Sequence, residues 1–511
     1  MSEKTKKGFK MPSSYTVLFI IIAIMAVLTW VIPAGVYGSD KDGNFIPGTY
    51  KMVTQNPQGL WDVLMAPVRG MIGTQPAEDS MIKATDGAIT VAFFILMVGG
   101  FLGVVNETKS LDTGIASIVK KFKGREKLLI WVLMPLFALG GTTYGMGEET
   151  MAFYPLIVPV MMAVGFDSLT GVAIVLLGSQ IGCLASTLNP FATGVASEAV
   201  NTSVTEGILL RLIFLVVLTV LSTWFVYRYA SKIQKDPTKS LVYSTREEDL
   251  KYFNVEEYSG VESNLSKKQK HVLILFALTF VIMIMSLVAW HKLNINIFQD
   301  FTSWLQSVPF LGNFVGSSMP PIGDWFFNEV SMLFIFMGIL IGIVYGLKED
   351  KIISSFMNGA ADLLSVALIV ALARGIQVIM NDGMITATIL NWSKEALSGL
   401  PSQAFIILTY IFYLPMSFLI PSSSGLASAT MGIMAPLGGF VGVRPSLIIT
   451  AFQSASGLLN LVAPTSAIVM GALSIGRIGL GTWWKFIGKL LVVVIIVTIL
   501  LLLLGTYVPF L

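Results

Sequence analysis

Apolar runs of membrane-spanning length alternate along the chain with short polar connections. The runs beginning at Ser14, "SYTVLFIIIAIMAVLTWVIPAG", and at Leu490, "LLVVVIIVTILLLLLGTYVPFL", are each long enough to cross a bilayer. The pattern predicts nine full spans, at 13–35, 85–106, 168–197, 207–229, 271–290, 328–347, 362–381, 444–474 and 485–509. Two further apolar regions, 127–165 and 402–442, are interrupted centrally by Gly, Ser or Thr and carry Pro on their arms. They predict re-entrant hairpins, pairs of short helices that enter and leave on one side. Non-helical backbone at that depth survives only where it is buried in protein or lines a cavity. The expected fold class is therefore an all-α polytopic membrane protein of inverted-repeat transporter type. It has nine spans, two hairpins and two broken helices.

Charge supports this reading. Of 511 residues 54% are hydrophobic and only 12% charged, against about 25% charged in soluble domains. One cysteine, Cys183, leaves no disulfide framework and no multi-cysteine metal site, and the two histidines, His271 and His291, sit at expected span ends. No HExxH, Walker A or dinucleotide fingerprint is present, so no cofactor, metal or nucleic acid is expected. The first apolar run is too long for a cleaved leader and is expected to remain as the first span. Lysines and arginines cluster before span one (Lys4, Lys6, Lys7, Lys10), after span two (Lys120, Lys121, Lys123, Arg125), after span four (Arg228, Lys232, Lys235) and after span six (Lys348, Lys351). By the positive-inside rule this puts the N-terminus inside and the C-terminus outside a bacterial cytoplasmic membrane. The mixed-charge stretch 231–270 reads as a solvated cytoplasmic linker.

The two halves repeat one another. "YGMGEETM" (144–151) aligns with "SGLASATM" (424–431), "GSQIGCLASTLNPFAT" (178–193) with "AFQSASGLLNLVAPTS" (451–466), and "GFLGVVNE" (100–107) with "GIQVIMND" (375–382). One odd connecting span separates the copies, so the second is inverted. The expected organisation is a first repeat at 1–229, a linker and connecting span at 230–290, and a second repeat at 291–511. Inverted repeats with interrupted helices in matching positions mark secondary transporters whose substrate site lies where the breaks converge.

Glu148 and Glu149 are the feature that demands an account, since each ionised group at the bilayer centre costs about 3 kcal/mol. They either cap a helix as first-turn carboxylates or contact a ligand. Both cannot face one ligand on a regular helix, because adjacent residues point about 100° apart. The second hairpin carries Ser422, Ser423 and Ser424 at its tip. A cavity between the tips offers carboxylates at one end and hydroxyls with a helix N-terminus at the other, which suits a ligand cationic at one end and carboxylate-bearing at the other. Tyr144 offers a cation–π face or packs as an ordinary aromatic. Thr187, Asn189 and Thr193 flank Pro190, while Asn460, Thr465 and Ser466 flank Pro464. Proline frees a carbonyl, so these breaks either line the site or are kinks satisfied by neighbouring hydroxyls. Gln180 and Gln453 read as bonds between helices. Arg374 reads as the most interior basic residue; it either pairs with Asp382 or Glu107 or holds a ligand carboxylate.

These residues also resemble a known family. "GGTTYGMGEETMAFYPLIVPVMMAVGFDSLTGVAIVLLGSQIGCLASTLNPFATG" and "LIPSSSGLASATMGIMAPLG" look like the YfcC-type branch of the anaerobic C4-dicarboxylate carrier family, within the ion transporter superfamily. The whole chain, down to "IQKDPTKSLVYSTREEDLK" in the linker, looks like the exchangers of that branch that serve the arginine deiminase pathway. The resemblance implies import of arginine against export of ornithine without ATP. It further implies a homodimer in which a moving domain containing both hairpins travels against a scaffold. It places the substrate site at 142–149, 186–193, 422–428 and 460–466, which adds Thr142 and Thr143 to the candidates. Sodium-coupled members carry Ser-Asn-Thr signatures at the tips, whereas this chain has "TTYG" and "SSSG"; exchange of two equally charged cations needs no coupling ion. The competing readings are a carrier of C4-dicarboxylates or other organic anions, a passive channel, and an intramembrane enzyme, for which the sequence holds no nucleophile–base pair.

Overall fold

The structure, a computed structural model, describes residues 14–38, 46, 48–75, 84–85, 87–111, 113–114, 117, 124–200, 202–255, 265–288, 290, 295–316, 318–397 and 399–508. The protein is an all-α polytopic membrane protein; a two-residue antiparallel ribbon, Gly35–Val36 with Lys51–Met52, is its only named sheet among the described residues. Eight of the described helices are long and apolar enough to cross a membrane.

The stretch expected as the first repeat supplies α1 (Ser14–Val31), α2 (Leu60–Ile72), α3 (Ile89–Glu107), α4 (Leu128–Tyr144), α5 (Tyr154–Ala163), α6 (Ser168–Ala185) and α7 (Ile208–Lys235). The linker holds α8 (Arg246–Tyr252), and α9 (Lys267–Leu287) is the connecting span. The stretch expected as the second repeat supplies α10 (Phe327–Tyr345), α11 (Glu349–Asp362), α12 (Leu364–Asp382), α13 (Thr386–Leu397), α14 (Ser402–Leu419), α15 (Ser423–Phe440), α16 (Pro445–Leu459), α17 (Ala467–Ile475) and α18 (Leu480–Tyr507).

Both expected hairpins and both broken helices fold as interrupted helices. Helix α4 ends where Gly145 takes φ 78°, and a 3₁₀ turn, Glu148–Ala152, leads into α5. A side chain at Gly145 would also overlap the amide of Asn189, so this turn needs glycine twice over. Helix α14, expected as a short arm, has 18 residues and at about 1.5 Å per residue is itself of spanning length. Asp167 caps α6 by accepting the Thr170 N–H at 2.8 Å. That helix stops at Ser186, which takes φ 40°, and the chain resumes as a π-helical turn at Pro190–Gly194. Its counterpart α16 stops at Leu459 and resumes at Ala467, with Pro464 in the gap.

Packing divides the helices into two groups. Helices α1–α3 and α9–α12 pack with one another; so do α4–α7 and α14–α18. Within the first group the repeats cross over: α2 lies on α12, and α11 lies on α3. Small residues make both crossings close. Gly70 meets the backbone of Ala371 and Gly375, and Gly99 and Gly103 meet that of Gly359 and Ser355. Each crossing carries an ion pair, Arg69 with Asp382 at 2.5 Å and Lys351 with Glu107 at 3.2 Å.

The linker departs from the solvated loop expected of it. Its residues 236–253 dock on the helix ends. Asp167 accepts from Tyr229 at 2.7 Å and from Ser240 at 2.6 Å. Asp249 is buried, accepts from Ser168 at 3.3 Å, and pairs with Arg477 at 3.1 Å. The Arg477 guanidinium also lies 4.6 Å from the centre of the Tyr252 ring.

Candidate functional site

A cavity of about 550 Å³ opens where the two hairpin tips, the two helix breaks, the N-terminal ends of α3 and α10 and the middle of α12 meet. Both carboxylates line it from the 3₁₀ turn Glu148–Ala152, although adjacent residues of such a turn point about 120° apart. Glu149 is 3% exposed and accepts the Gly147 N–H at 2.8 Å. That bond is the capping role expected for it, so Glu149 caps and lines the cavity together.

Of the sequence candidates, Glu148, Glu149, Asn189, Ser422, Ser423, Ser424, Asn460 and Thr465 line this cavity. Several also hold their own turns. Asn189 Oδ1 accepts the Phe191 N–H at 2.9 Å, and Ser422 Oγ accepts the Gly425 N–H at 3.2 Å. Ser466 Oγ donates to Asn460 Oδ1 at 3.0 Å. Thr465 Oγ1 is buried and has no partner among the described residues.

Four candidates lie elsewhere. Thr142 and Thr187 bond each other: the Thr187 N–H donates to Thr142 Oγ1 at 2.9 Å, and the Thr187 hydroxyl donates to the Thr142 carbonyl at 3.1 Å. The pair closes the gap between the hairpin and the broken helix. The Thr143 hydroxyl turns back to the Leu139 carbonyl at 2.6 Å. Tyr144, 1% exposed, packs into the core.

The expected pairing of Arg374 is also corrected. Asp382 is held by Arg69 and Glu107 by Lys351. Arg374 instead lines the cavity and donates to Gln377 Oε1 at 3.1 Å. Nor is it the most interior basic residue. Arg211, 1% exposed, donates to the Thr187 carbonyl at 3.3 Å and to the Val204 carbonyl at 2.8 Å, and so satisfies the first break from behind. At the second break Trp483 and Trp484 cap the Leu461 and Val462 carbonyls at 2.7 and 3.0 Å. The carbonyls on the outer faces of the breaks are thus answered by a guanidinium and two indoles, not by the hydroxyls of the kink reading.

Gln453 bridges the repeats. Its amide donates to the Ala185 and Ser186 carbonyls at 2.9 and 3.3 Å, and its oxygen accepts from Thr193 at 2.6 Å. The wall also includes Thr90, Gln180, Cys183, Phe191, Phe326 and Phe327. Sequence reasoning passed over these as cavity residues, although Gln180 and Cys183 precede the Pro190 break by only a few helical turns.

The cavity thus gathers three charged side chains, Glu148, Glu149 and Arg374. None of them has an ion-pair partner among the described residues. No group of three or more His, Cys, Asp or Glu side chains able to hold a metal occurs among those residues either.

Comparison with known proteins agrees with a carrier. The family described as "DcuC: C4-dicarboxylate anaerobic carrier" matches residues 11–507. A protein of Haemophilus influenzae, described only as uncharacterized, is 32% identical over 96% of both chains. The Escherichia coli "Putative basic amino acid antiporter YfcC" is 29% identical over 96% of this chain and 95% of its own. Two solved transporters align along nearly the whole chain. The Alcanivorax borkumensis YdaH transporter covers 97% of this chain and 98% of its own, with 15% identity and a TM-score of 0.40. Neisseria gonorrhoeae MtrF covers 98% and 96%, with 16% identity and a TM-score of 0.43. The chain belongs to the C4-dicarboxylate anaerobic carrier family and is a membrane transporter, not an enzyme.

Proposed function

We propose that this member of the C4-dicarboxylate anaerobic carrier family carries basic amino acids, importing arginine in exchange for ornithine. One observation supports the reading above the rest: the charge inventory of the cavity. Two carboxylates and one guanidinium, all without ion-pair partners among the described residues, face one space. Arginine and ornithine each present two cationic groups and one carboxylate, the complement of that set in number and sign. A C4-dicarboxylate presents two negative charges and no positive one, so it leaves both glutamates facing like charge or nothing. The name of the Escherichia coli relative points the same way.

The same inventory favours exchange over one-way flux. An empty site would carry its charges through the protein unpaired, at a cost of several kcal/mol per desolvated ion. A loaded site is neutral, and arginine and ornithine load it equally. The glutamates belong to the helix group α4–α7 with α14–α18, and Arg374 belongs to the other group. A ligand held by both therefore spans the boundary along which the groups slide in an elevator-like cycle.

The test uses purified protein in liposomes loaded with ornithine, buffer or succinate. Labelled arginine is placed outside and the membrane potential is clamped at zero. Uptake confined to ornithine-loaded vesicles supports the proposal; uptake driven by succinate overturns it. Cys183, the single cysteine, lies in the cavity wall, so arginine is also expected to slow its modification by a small thiol reagent.

A further inference from the structure

Gln180 and Gln453 occupy matching positions in the two repeats, since "GSQIG" and "AFQSA" align at their glutamines. Their bonding differs. Gln453 is saturated, with its amide on two carbonyls of the first break and its oxygen on Thr193. Gln180 uses only its amide nitrogen, which donates to the Met146 carbonyl at 3.1 Å and to Ser179 Oγ at 3.3 Å. A carbonyl accepts and never donates, so Met146 fixes which end of the amide faces it. The other end, Gln180 Oε1, is left without a partner among the described residues, on a side chain that is fully buried and forms part of the cavity wall.

A buried acceptor with no partner destabilises the state that holds it, and a polar wall position in a carrier has an evident partner in its cargo. Gln180 is tied to Met146, and Glu149 is tied to Gly147, the next residue along the hairpin tip. The two acceptors are therefore anchored on consecutive residues of one turn. Two acceptors so placed suit a cation with several N–H donors rather than a bare point charge. A single carboxylate satisfies at most two N–H groups of a guanidinium or ammonium.

We infer that Gln180 Oε1 is a second acceptor beside Glu149 for an N–H of one of the substrate's two cationic groups. The site thereby selects for hydrogen-bond donors as well as for positive charge. This rests on the cavity binding basic amino acids, and the experiment separates the two ideas.

Affinities of the purified full chain in nanodiscs are measured for lysine, Nε-trimethyl-lysine and Nα-trimethyl-lysine. The trimethylated forms keep each charge but lose its donors. The natural protein is expected to prefer lysine over at least one trimethylated form by about tenfold to a hundredfold. Gln180→Met is expected to lose most of that preference. Gln180→Glu keeps an acceptor while giving up the bond to Met146, and it is expected to retain the preference. An equal loss for all three ligands in Gln180→Met, or lost preference in Gln180→Glu, makes Gln180 a structural brace and overturns the inference. A sodium-dependent affinity that Gln180→Met abolishes, with the donor preference intact, assigns the oxygen to the ion and overturns it too. If the natural protein binds succinate and none of the three, the basic amino acid reading itself fails.

Discussion

Asp382, at the C-terminal end of α12, is held by Arg69 of α2 at 2.5 Å, a pair that ties the second repeat to the first. Asp382 is 3% exposed. Removing its partner leaves a buried carboxylate uncompensated, a change that costs about 3–5 kcal/mol. Arg69→Ala is expected to lower the unfolding temperature of the purified protein sharply. Adding Asp382→Asn to it is expected to restore most of the loss, because the buried charge is then gone. A double variant no more stable than Arg69→Ala counts against the pair as the cause.

Arg374 and the two glutamates are expected to act on different parts of one ligand. Arg374→Gln lowers affinity for arginine by about tenfold or more but leaves agmatine, arginine without its carboxylate, nearly unchanged. Glu148→Gln and Glu149→Gln lower affinity for both. Equal losses for the two ligands in Arg374→Gln would place the arginine carboxylate elsewhere.

Gly359 faces the backbone of Gly99 and Gly103 where α11 crosses α3. Alanine is the better helix former by about 1 kcal/mol, yet its methyl has no room between the two backbones. Gly359→Ala is therefore expected to destabilise the protein by about 1–3 kcal/mol, measured by thermal unfolding in detergent. Stabilisation would show that the crossing is looser than described.

Burial raises the carboxyl of Asp249 above its ordinary value, a shift only partly offset by Thr245, Arg477 and Ser168. A carboxyl whose folded value is raised favours the fold most when protonated. Its contribution is full below the unfolded value and lost as pH rises through the folded one. The natural protein is accordingly expected to gain stability relative to Asp249→Asn as pH falls from about 7 towards 4, around and above the ordinary carboxylate range. Unfolding temperatures of the two proteins across that range test the sign. A difference that stays flat or moves the other way removes Asp249 as the titrating group.

The architecture was readable because its breaks are chemical. Gly, Ser and Pro inside apolar runs mark places where a helix cannot continue, and they recur in one order in both halves. The tip and break residues were readable for the same reason. What resisted was direction. Thr142, Thr143, Tyr144 and Thr187 belong to the right segments, but which way each side chain turns depends on how α4 sits against α6. That seating is set by Gly141 and Gly182 meeting the backbones opposite, a contact with no signature in hydropathy. The partner of Asp382 was misread because Arg69 lies on a short amphipathic helix that composition does not place near α12. Gln180 was read as a bond between helices, and half of it is one. Its free oxygen follows from a single backbone carbonyl, which no side-chain pattern reports.

The Gln453 bridge also bears on how the protein is made. Among the described residues the Ala185 carbonyl meets a side-chain partner only when residue 453 arrives, whereas the Ser186 carbonyl already has the Thr193 hydroxyl at 2.8 Å, so the first half enters the bilayer with a polar group it does not answer. A nascent chain halted after the connecting span holds an unfinished break inside lipid, a state that quality-control proteases and insertases are suited to recognise. Two separately expressed halves are then each short-lived alone and long-lived together.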